Sequence, residues 1–133
     1  MRLLASTDIA LRVLMLLARS KPDQPVSVEA MAQALGGLSR HHLHKIVQDL
    51  TAIGVTRTQR GTGGGVLLAK APEQIGVGTV VRELEQDQAV VECFRADGCE
   101  CTLVVGCRLR GMMARAQERF YATLDNQTLA DCI

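Results

Sequence analysis

The chain has 133 residues and a formal net charge of +1, with 47% apolar but only 2% aromatic residues. This length allows one small domain, or one small domain with an appended arm. The low aromatic content predicts an aliphatic core, which favours helices. No apolar run approaches the ~20 residues of a membrane-spanning helix, and no signal-peptide cleavage site follows the apolar segment 9–18. We therefore expect a cytoplasmic protein with reduced cysteines and no membrane partner.

Charge is distributed unevenly along the chain. Residues 40–60 contain four cations, one acid and all three histidines. Residues 83–100 contain six acids and a single cation, Arg95. The sequence therefore predicts a basic region and a separate acidic region, which also holds two of the five cysteines, Cys93 and Cys99.

Three helices are predicted in the first part of the chain. A largely buried first helix follows the N-cap residues 6–8, and Ser27 caps a short second helix. The tight turn at 36–38 leads to a third helix, which is capped by Ser39 and closed by Gly54. Two helices joined by a glycine-containing turn are typical of a helix-turn-helix.

The outward face of the third helix offers hydrogen-bonding groups suited to phosphates or base edges. The DNA-contacting residues predicted here are Ser39, Arg40, His41, His42, His44 and Lys45. A solvated amphipathic helix of any globular domain is the alternative interpretation.

Two short strands, 55–59 and 66–69, flank the glycine-rich segment 60–65. A phosphate-binding loop is the alternative, but no Gly-Lys-Ser/Thr sequence follows and the segment lies between strands. As a hairpin tip that begins with Arg60 and Gly61, it is the wing of a winged helix and can reach a minor groove. A winged helix-turn-helix DNA-binding domain is therefore predicted for residues 1–75.

The second half, residues 76–133, is predicted to contain a short helix, the cysteine segment and a long helix from Arg108. An apolar stripe runs along the long helix at Leu109, Met112, Met113, Ala116, Phe120 and Leu124. Intrachain core is the alternative, but the other helices already belong to the winged unit, so the stripe favours a two-helix dimer seam. Thr128 is predicted to cap a last turn that holds Cys132, interpreted as a bystander thiol.

Four of the five cysteines lie within fifteen residues, at Cys93, Cys99, Cys101 and Cys107. Their spacing lacks both the Cys-x2-Cys knuckle of zinc fingers and the dense cysteine runs of ferredoxins. Widely spaced thiolates on a flexible loop suit an iron–sulfur cluster, with zinc, a disulfide pair and reduced thiols as the alternatives. The sequence shows no nucleophile paired with a base, so we do not expect an enzyme.

These segments together resemble the bacterial winged-helix regulators that carry iron–sulfur clusters, the group of NsrR and IscR. The resemblance covers nearly the whole chain. Its markers are 7–8, 10–12, the recognition-helix run 38–47, the wing 60–65, 80–85, 107–109 and 124–131. The runs 80–85, 107–109 and 124–131 resemble the nitric-oxide-sensing branch, that of NsrR. The IscR pattern uses a histidine shortly after the third cysteine, and here Leu109 and Arg110 stand instead.

The resemblance implies a homodimeric repressor that binds a palindromic double-stranded operator and releases it when nitric oxide attacks the cluster. A 4Fe–4S cluster is expected in preference to a 2Fe–2S one. The implied ligands are Cys93, Cys101, Cys107 and Asp8, with Cys99 as the alternative to Cys101 and helix capping as the alternative role of Asp8. On the same scaffold, a sensor of cluster supply, oxygen or redox stress is an alternative, and a zinc-stabilised DNA-binding protein is another.

The choice of Cys101 rests on the interval to Cys107, which repeats the second cysteine interval of the family. The turn signal Asp97-Gly98 predicts in addition that Cys99 faces solvent at the tip of an insertion.

Overall fold

The computed structural model describes residues 2–133, which form five α-helices and one two-stranded antiparallel hairpin. The elements are α1 (Ala5–Arg19), α2 (Val28–Ala34), α3 (Arg40–Ala52), β1 (Thr56–Gln59), β2 (Gly65–Leu68), α4 (Val77–Leu84) and α5 (Arg108–Asp125). Single 3₁₀ turns occur at Pro72–Gln74, Glu92–Phe94 and Leu129–Cys132. The predicted mainly α winged helix-turn-helix, with a small β-hairpin and a long C-terminal helix, is confirmed. Across residues 2–133, no helix combines the length and the apolar character needed to cross a membrane.

The start of α1 differs from the prediction. Its N-cap is Leu4, which makes no side-chain cap, and Asp8 lies inside the first turn, so the capping role predicted for Asp8 is wrong. The backbone N–H of Leu4 donates to the Glu85 carboxylate at 2.8 Å, across 81 residues of sequence. A tertiary contact therefore orders the start of this helix, and local sequence could not indicate it.

The caps of α2 and α3 follow the prediction in position. The Ser27 hydroxyl accepts a hydrogen bond from the backbone N–H of Ala30 at 3.1 Å, as a capping serine should. Ser39 is the N-cap residue of α3, but its side chain makes no capping bond. The Ser39 hydroxyl is exposed, which leaves it available to another partner.

Gly54 ends α3 in the way that the sequence predicts. Its φ of +76° is the left-handed conformation that glycine adopts without strain. The backbone N–H of Gly54 donates to Thr51 O at 3.0 Å, and that of Val55 donates to Leu50 O at 3.1 Å. This pair of bonds is a Schellman motif, and it directs the chain from the recognition helix straight into β1.

The hairpin pairs Thr56 with Leu68 and Gln59 with Gly65. A third segment joins it, because Val26 forms an antiparallel bridge with Val66. A Cβ atom at position 65 would come within 2.5 Å of the Val26 carbonyl oxygen, so only glycine allows this approach. The base of the wing is thus held against the loop before α2.

The core is aliphatic, as the composition predicts. It joins buried residues of α1, α2, α3, the hairpin and α4, and it includes Leu129 near the end of the chain. Backbone hydrogen bonds run from Val77 N to Gln127 O at 3.0 Å and from Leu129 N to Ile75 O at 2.8 Å. The division into residues 1–75 and 76–133 stays a prediction, and the bond from Leu129 N to Ile75 O crosses it.

Candidate nucleic-acid interface and thiol site

The recognition helix α3 has one buried face and one exposed face. Leu43, Ile46, Val47 and Leu50 are buried. The predicted DNA-contacting residues are all exposed: Ser39, Arg40, His41, His42, His44 and Lys45. The 3.6-residue period of the apolar positions explains this separation, because it directs one stripe inward and leaves the polar groups outside.

Two cations of the exposed face of α3 are already paired with acids. Arg40 Nη1 lies 2.8 Å from Glu29 Oε2 of α2, and Lys45 Nζ lies 2.5 Å from Asp49 Oδ1, one helical turn further on. A DNA phosphate must compete with these carboxylates. Sequence reasoning predicted both cations but missed both partners.

The wing presents the other predicted contacts. Arg60 and Gly61 are exposed at the hairpin tip, and Gly61 has a φ of +97° that supports the turn closed by the Gly64 N–H to Gly61 O bond of 3.0 Å. Arg60 forms no ion pair with any of residues 2–133. Its guanidinium is therefore available to a phosphate or to the floor of a minor groove.

Arg57 is a further exposed cation on β1, and the prediction did not include it. Its Nη2 lies 3.7 Å from Asp23 Oδ1. The signal was present in the strand pattern, since Thr56 is buried and the next residue must then face outward. The Thr51 and Thr56 hydroxyls lie 3.0 Å apart, a hydrogen bond that joins the end of α3 to the hairpin carrying Arg57.

The four clustered cysteines lie in a segment built mostly of turns. Cys93 belongs to the 3₁₀ turn Glu92–Phe94, and Cys107 is the N-cap residue of α5. All five cysteines of the chain are free thiols. Among residues 2–133, no group of three or more His, Cys, Asp or Glu side chains is placed to hold a metal ion. The four predicted ligands are therefore not brought together within this single chain.

Local contacts organise the first half of the cysteine segment. The guanidinium of Arg110 lies 5.7 Å from the centre of the Phe94 ring, which brings the Cys93 turn to the first turn of α5. Arg95 and Asp97 form a bidentate pair at 2.9 and 2.5 Å. The hydrogen bond from Arg95 lowers the pKa of Asp97 below its ordinary value. Gly98 follows with a φ of +111°, which confirms the predicted turn.

The exposure of Cys99 differs from the prediction. Cys99 is half-buried and Cys101 is exposed. The backbone N–H of Cys101 donates to Cys99 Sγ at 3.3 Å. The predicted solvent-facing position of Cys99 is wrong, while the choice between the two as ligands stays a prediction.

Asp8 and Cys132 each have a partner outside the cysteine segment. Asp8 Oδ2 lies 2.7 Å from Arg12 Nη2 within α1, so a metal at this oxygen would compete with the guanidinium. The predicted cap of the last turn is confirmed, because Thr128 and Asp131 form a capping box. Cys132 belongs to that turn, and its Sγ lies 3.6 Å from Thr128 O.

The donor set fits an iron–sulfur cluster in its chemistry. Four unpaired thiols within fifteen residues supply the ligand type that such clusters use. The turns between them, including Gly98 and Gly106 at positive φ, are segments that can rearrange around a cluster more readily than a helix can. The fit is one of donor type and number.

Comparisons with known proteins agree with this architecture. A family model described as "Rrf2: Iron-dependent Transcriptional regulator" matches residues 3–133. The HTH-type transcriptional regulator NsrR of Geobacillus kaustophilus is 44% identical over 133 residues, which are all of this chain and 90% of that protein. The HTH-type transcriptional repressor NsrR of Streptomyces coelicolor is 40% identical over 134 residues, with 100% of this chain and 88% of that protein covered.

Solved structures show the same fold. IscR of T. potens matches with a TM-score of 0.77 at 23% identity, over 99% of this chain and 85% of that one. CymR (YrzC), the global cysteine regulator of B. subtilis, matches with a TM-score of 0.69 at 26% identity, over 99% and 95%. The prediction that the chain is not an enzyme is confirmed, because these relatives are regulators. The predicted resemblance is confirmed as well, and the chain belongs to the Rrf2 family of iron-dependent transcriptional regulators.

Proposed function

We propose that this chain is a homodimeric repressor that binds a palindromic operator and whose DNA affinity is controlled by an iron–sulfur cluster, with nitric oxide as the signal. The observation that carries the proposal is the segment of four free thiols that leads directly into α5. The names of the two NsrR relatives support a regulator of this branch. A cytoplasmic location is part of the proposal, since the operator lies on the chromosome.

DNA binding is assigned to α3 and the wing. The exposed residues from Ser39 to Lys45 would enter a major groove, where hydroxyl, guanidinium, imidazole and ammonium groups can read base edges. Arg60 and Gly61 would follow the backbone into the neighbouring minor groove. The Schellman turn at Gly54 and the bond between Thr51 and Thr56 support this assignment, because they hold helix and wing at one angle.

Dimer formation is assigned to the apolar stripe of α5. No residue of this 18-residue helix is fully buried, and the Leu109 and Met112 side chains are 62% and 58% exposed. Arg82 and Phe94 lie against a different side of the helix, the side that carries Tyr121. An apolar stripe left open along a long helix is typical of a two-helix seam.

The proposed ligands are Cys93, Cys101, Cys107 and Asp8, with Cys99 as the alternative middle thiol and a 4Fe–4S cluster in preference to 2Fe–2S. When bound, the cluster would supply thiolate-held irons that react with nitric oxide. Cys107 is the N-cap of α5, so its position bears on the first turn of the proposed seam. Asp8 lies on α1, which packs on α3, so its position bears on the recognition helix.

The chain can therefore couple its sensor to its DNA-binding face through rigid elements. Two recognition helices read half-sites one turn of DNA apart, and a change in their relative position lowers the affinity steeply. Asp8 has two alternative partners in this scheme, the cluster and Arg12. Exchange of Asp8 between these partners would change the local charge, and such a change can shift the equilibrium between two arrangements of the recognition helices.

One experiment separates this function from the zinc-stabilised alternative, which the four free thiols also favour. The protein is purified without oxygen, its absorption spectrum, iron, sulfide and zinc contents are measured, and nitric oxide is added stepwise in the presence of operator DNA. We expect a brown protein that contains iron and sulfide and releases the DNA as nitric oxide is added. A colourless zinc protein would replace the cluster proposal. Release by peroxide or iron depletion, without a response to nitric oxide, would assign the alternative signals.

A further inference from the structure

We propose that Glu29 and Asp49 are specificity-determining residues, which hold the cations of the recognition helix in internal ion pairs and so suppress binding to non-operator DNA. The inference rests on the proposed DNA contacts of Arg40 and Lys45. Neither acid would itself contact DNA. Each would act through the cation that it binds.

The first pair joins two helices. Arg40 is the first residue of α3, where the positive end of the helix dipole makes a cation unfavourable. Glu29 of α2 approaches it from across the turn, with 2.8 Å between Oε2 and Nη1. The two side chains are 71% and 54% exposed, so a phosphate can reach the guanidinium and compete with the carboxylate.

The second pair lies within α3. Lys45 and Asp49 are one turn apart, and their charged atoms lie 2.5 Å from each other. Asp49 is the sole acid of residues 40–60, the segment that otherwise concentrates the cations and histidines. An acid at this point of a DNA-facing helix repels the phosphate backbone unless its partner cation lies in between.

The pairing extends to the hairpin but stops at the tip of the wing. Arg57 has Asp23 at 3.7 Å, whereas Arg60 forms no ion pair with residues 2–133. Three of the four cations in the segment 40–60 thus have an acid within reach. Arg60 is left to supply the sequence-independent attraction to phosphate.

The two kinds of DNA respond differently to such pairs. Non-specific binding is driven almost entirely by cations that replace counterions along the phosphates. A cation that stays with its own carboxylate releases no counterion, and the carboxylate adds repulsion. Operator DNA offers base edges in addition, and hydrogen bonds to these edges can replace the carboxylate as partner. The acids therefore weaken non-specific binding more than operator binding, which raises the specificity ratio.

The test compares Glu29→Gln, Asp49→Asn and the double variant with the wild-type protein, all full-length and purified without oxygen. Two duplexes of equal length are used: one enriched from a randomised library by the wild-type protein, and one of scrambled sequence. Dissociation constants are measured by fluorescence anisotropy over a series of salt concentrations. We expect each substitution to tighten binding to the scrambled duplex about two- to fivefold, the range set by an exposed ion pair. The salt slope should steepen by up to about 0.9 for each cation released.

A matched control removes the same charge elsewhere. Glu73→Gln with Asp87→Asn neutralises two exposed acids outside α2, α3 and the hairpin. If this control changes the specificity ratio as much as the test pair does, net charge explains the effect and the inference is wrong. Helical content measured by circular dichroism checks that each variant is folded.

A double-mutant cycle shows whether Glu29 acts through Arg40. In an Arg40→Gln background, Glu29→Gln should have little further effect on binding to the scrambled duplex. An undiminished effect would mean that Glu29 acts by long-range repulsion and would overturn its assigned role. If the wild-type protein prefers its selected duplex and the variants have the same specificity ratio as the wild-type protein, the inference is overturned but the proposed function is not. A wild-type protein that prefers no duplex would overturn the proposed function as well.

Discussion

Arg82 of α4 and Asp125 at the end of α5 form a bidentate ion pair, with 2.9 Å from Nη1 to Oδ1 and 2.7 Å from Nη2 to Oδ2. The same guanidinium lies 4.7 Å from the centre of the Tyr121 ring. This pair ties the helix before the cysteine segment to the far end of the helix after it. The segment is thus framed by two elements whose relative position is set.

Because of the ion pair between Arg82 and Asp125, we expect part of the stability of the fold to be lost at acid pH. The hydrogen bond from Arg82 lowers the pKa of Asp125 below its ordinary value of 3.8. The carboxylate therefore stabilises the folded state at neutral pH, and this contribution is lost as the pH falls below about 4 and through the lower folded pKa. We expect Asp125→Asn to flatten the acid side of a plot of melting temperature against pH. Asp87→Asn, which removes an exposed carboxylate that forms no ion pair with any of residues 2–133, should leave the curve unchanged.

Gly78 of α4 lies where α4 and α5 approach each other closely. A Cβ atom there would collide with the Asp125 side chain and lie 2.7 Å from the Asp125 backbone nitrogen. Gly78→Ala should therefore lower the free energy of unfolding by roughly 1–3 kcal/mol, as overpacking does. Gly111→Ala is the matched control, because its nearest neighbour would be the Arg115 side chain at 3.5 Å. It should stabilise α5 by about 0.5–1 kcal/mol. Urea unfolding of both variants tests the contrast, and equal effects would contradict it.

The dimer seam is tested on the apolar stripe of α5. Replacing Met113 and Phe120 together with Glu should give monomers, because two buried apolar anchors contribute roughly 1.5–3 kcal/mol each. Arg115→Glu with Ala122→Glu places two glutamates on the opposite side of the helix and should leave the dimer intact. Light scattering gives the mass of each variant. A dimer in the first variant would place the seam elsewhere.

DNA binding is tested on the recognition helix and the wing. Arg40→Ala should weaken operator binding by roughly 1–3 kcal/mol if its guanidinium reads a base edge, whereas loss of a phosphate contact would mainly lower the salt slope. Arg60→Ala should lower the salt slope as well, since this cation has no internal partner in the described chain. Titrations of operator DNA at several salt concentrations distinguish the two. Unchanged binding in both variants would rule out the helix-and-wing interface.

The middle ligand is tested by comparing Cys101→Ala with Cys99→Ala. We expect Cys101→Ala to lose the cluster and regulated DNA binding, and Cys99→Ala to keep the spectrum and the nitric oxide response. The measurement is iron and sulfide per protomer after anaerobic reconstitution. A colourless Cys99→Ala beside an intact Cys101→Ala would reverse the assignment, and equal partial loss would show that the two thiols exchange.

The sequence alone determined the elements of the winged unit. The apolar period in α3, the capping serine at Ser27, the left-handed Gly54 and the glycine-rich tip after Arg60 are local signals, and each acts within a few residues. Local backbone preferences and the hydrophobic period are enough to specify a helix, a turn or a hairpin. The candidate DNA-facing residues could be predicted for the same reason, because exposure on α3 follows directly from its period.

Only the tertiary structure decided which distant side chains meet. The partners Glu29 and Arg40 come from different helices, and Glu85 reaches Leu4 across 81 residues. No local pattern specifies such contacts, because they depend on how packed helices are oriented. The exposure of Cys99 escaped prediction similarly, since it lies in a run of turns that has no hydrophobic period to set which side faces inward. Periodicity determines the faces of the helices, and packing determines what each face touches.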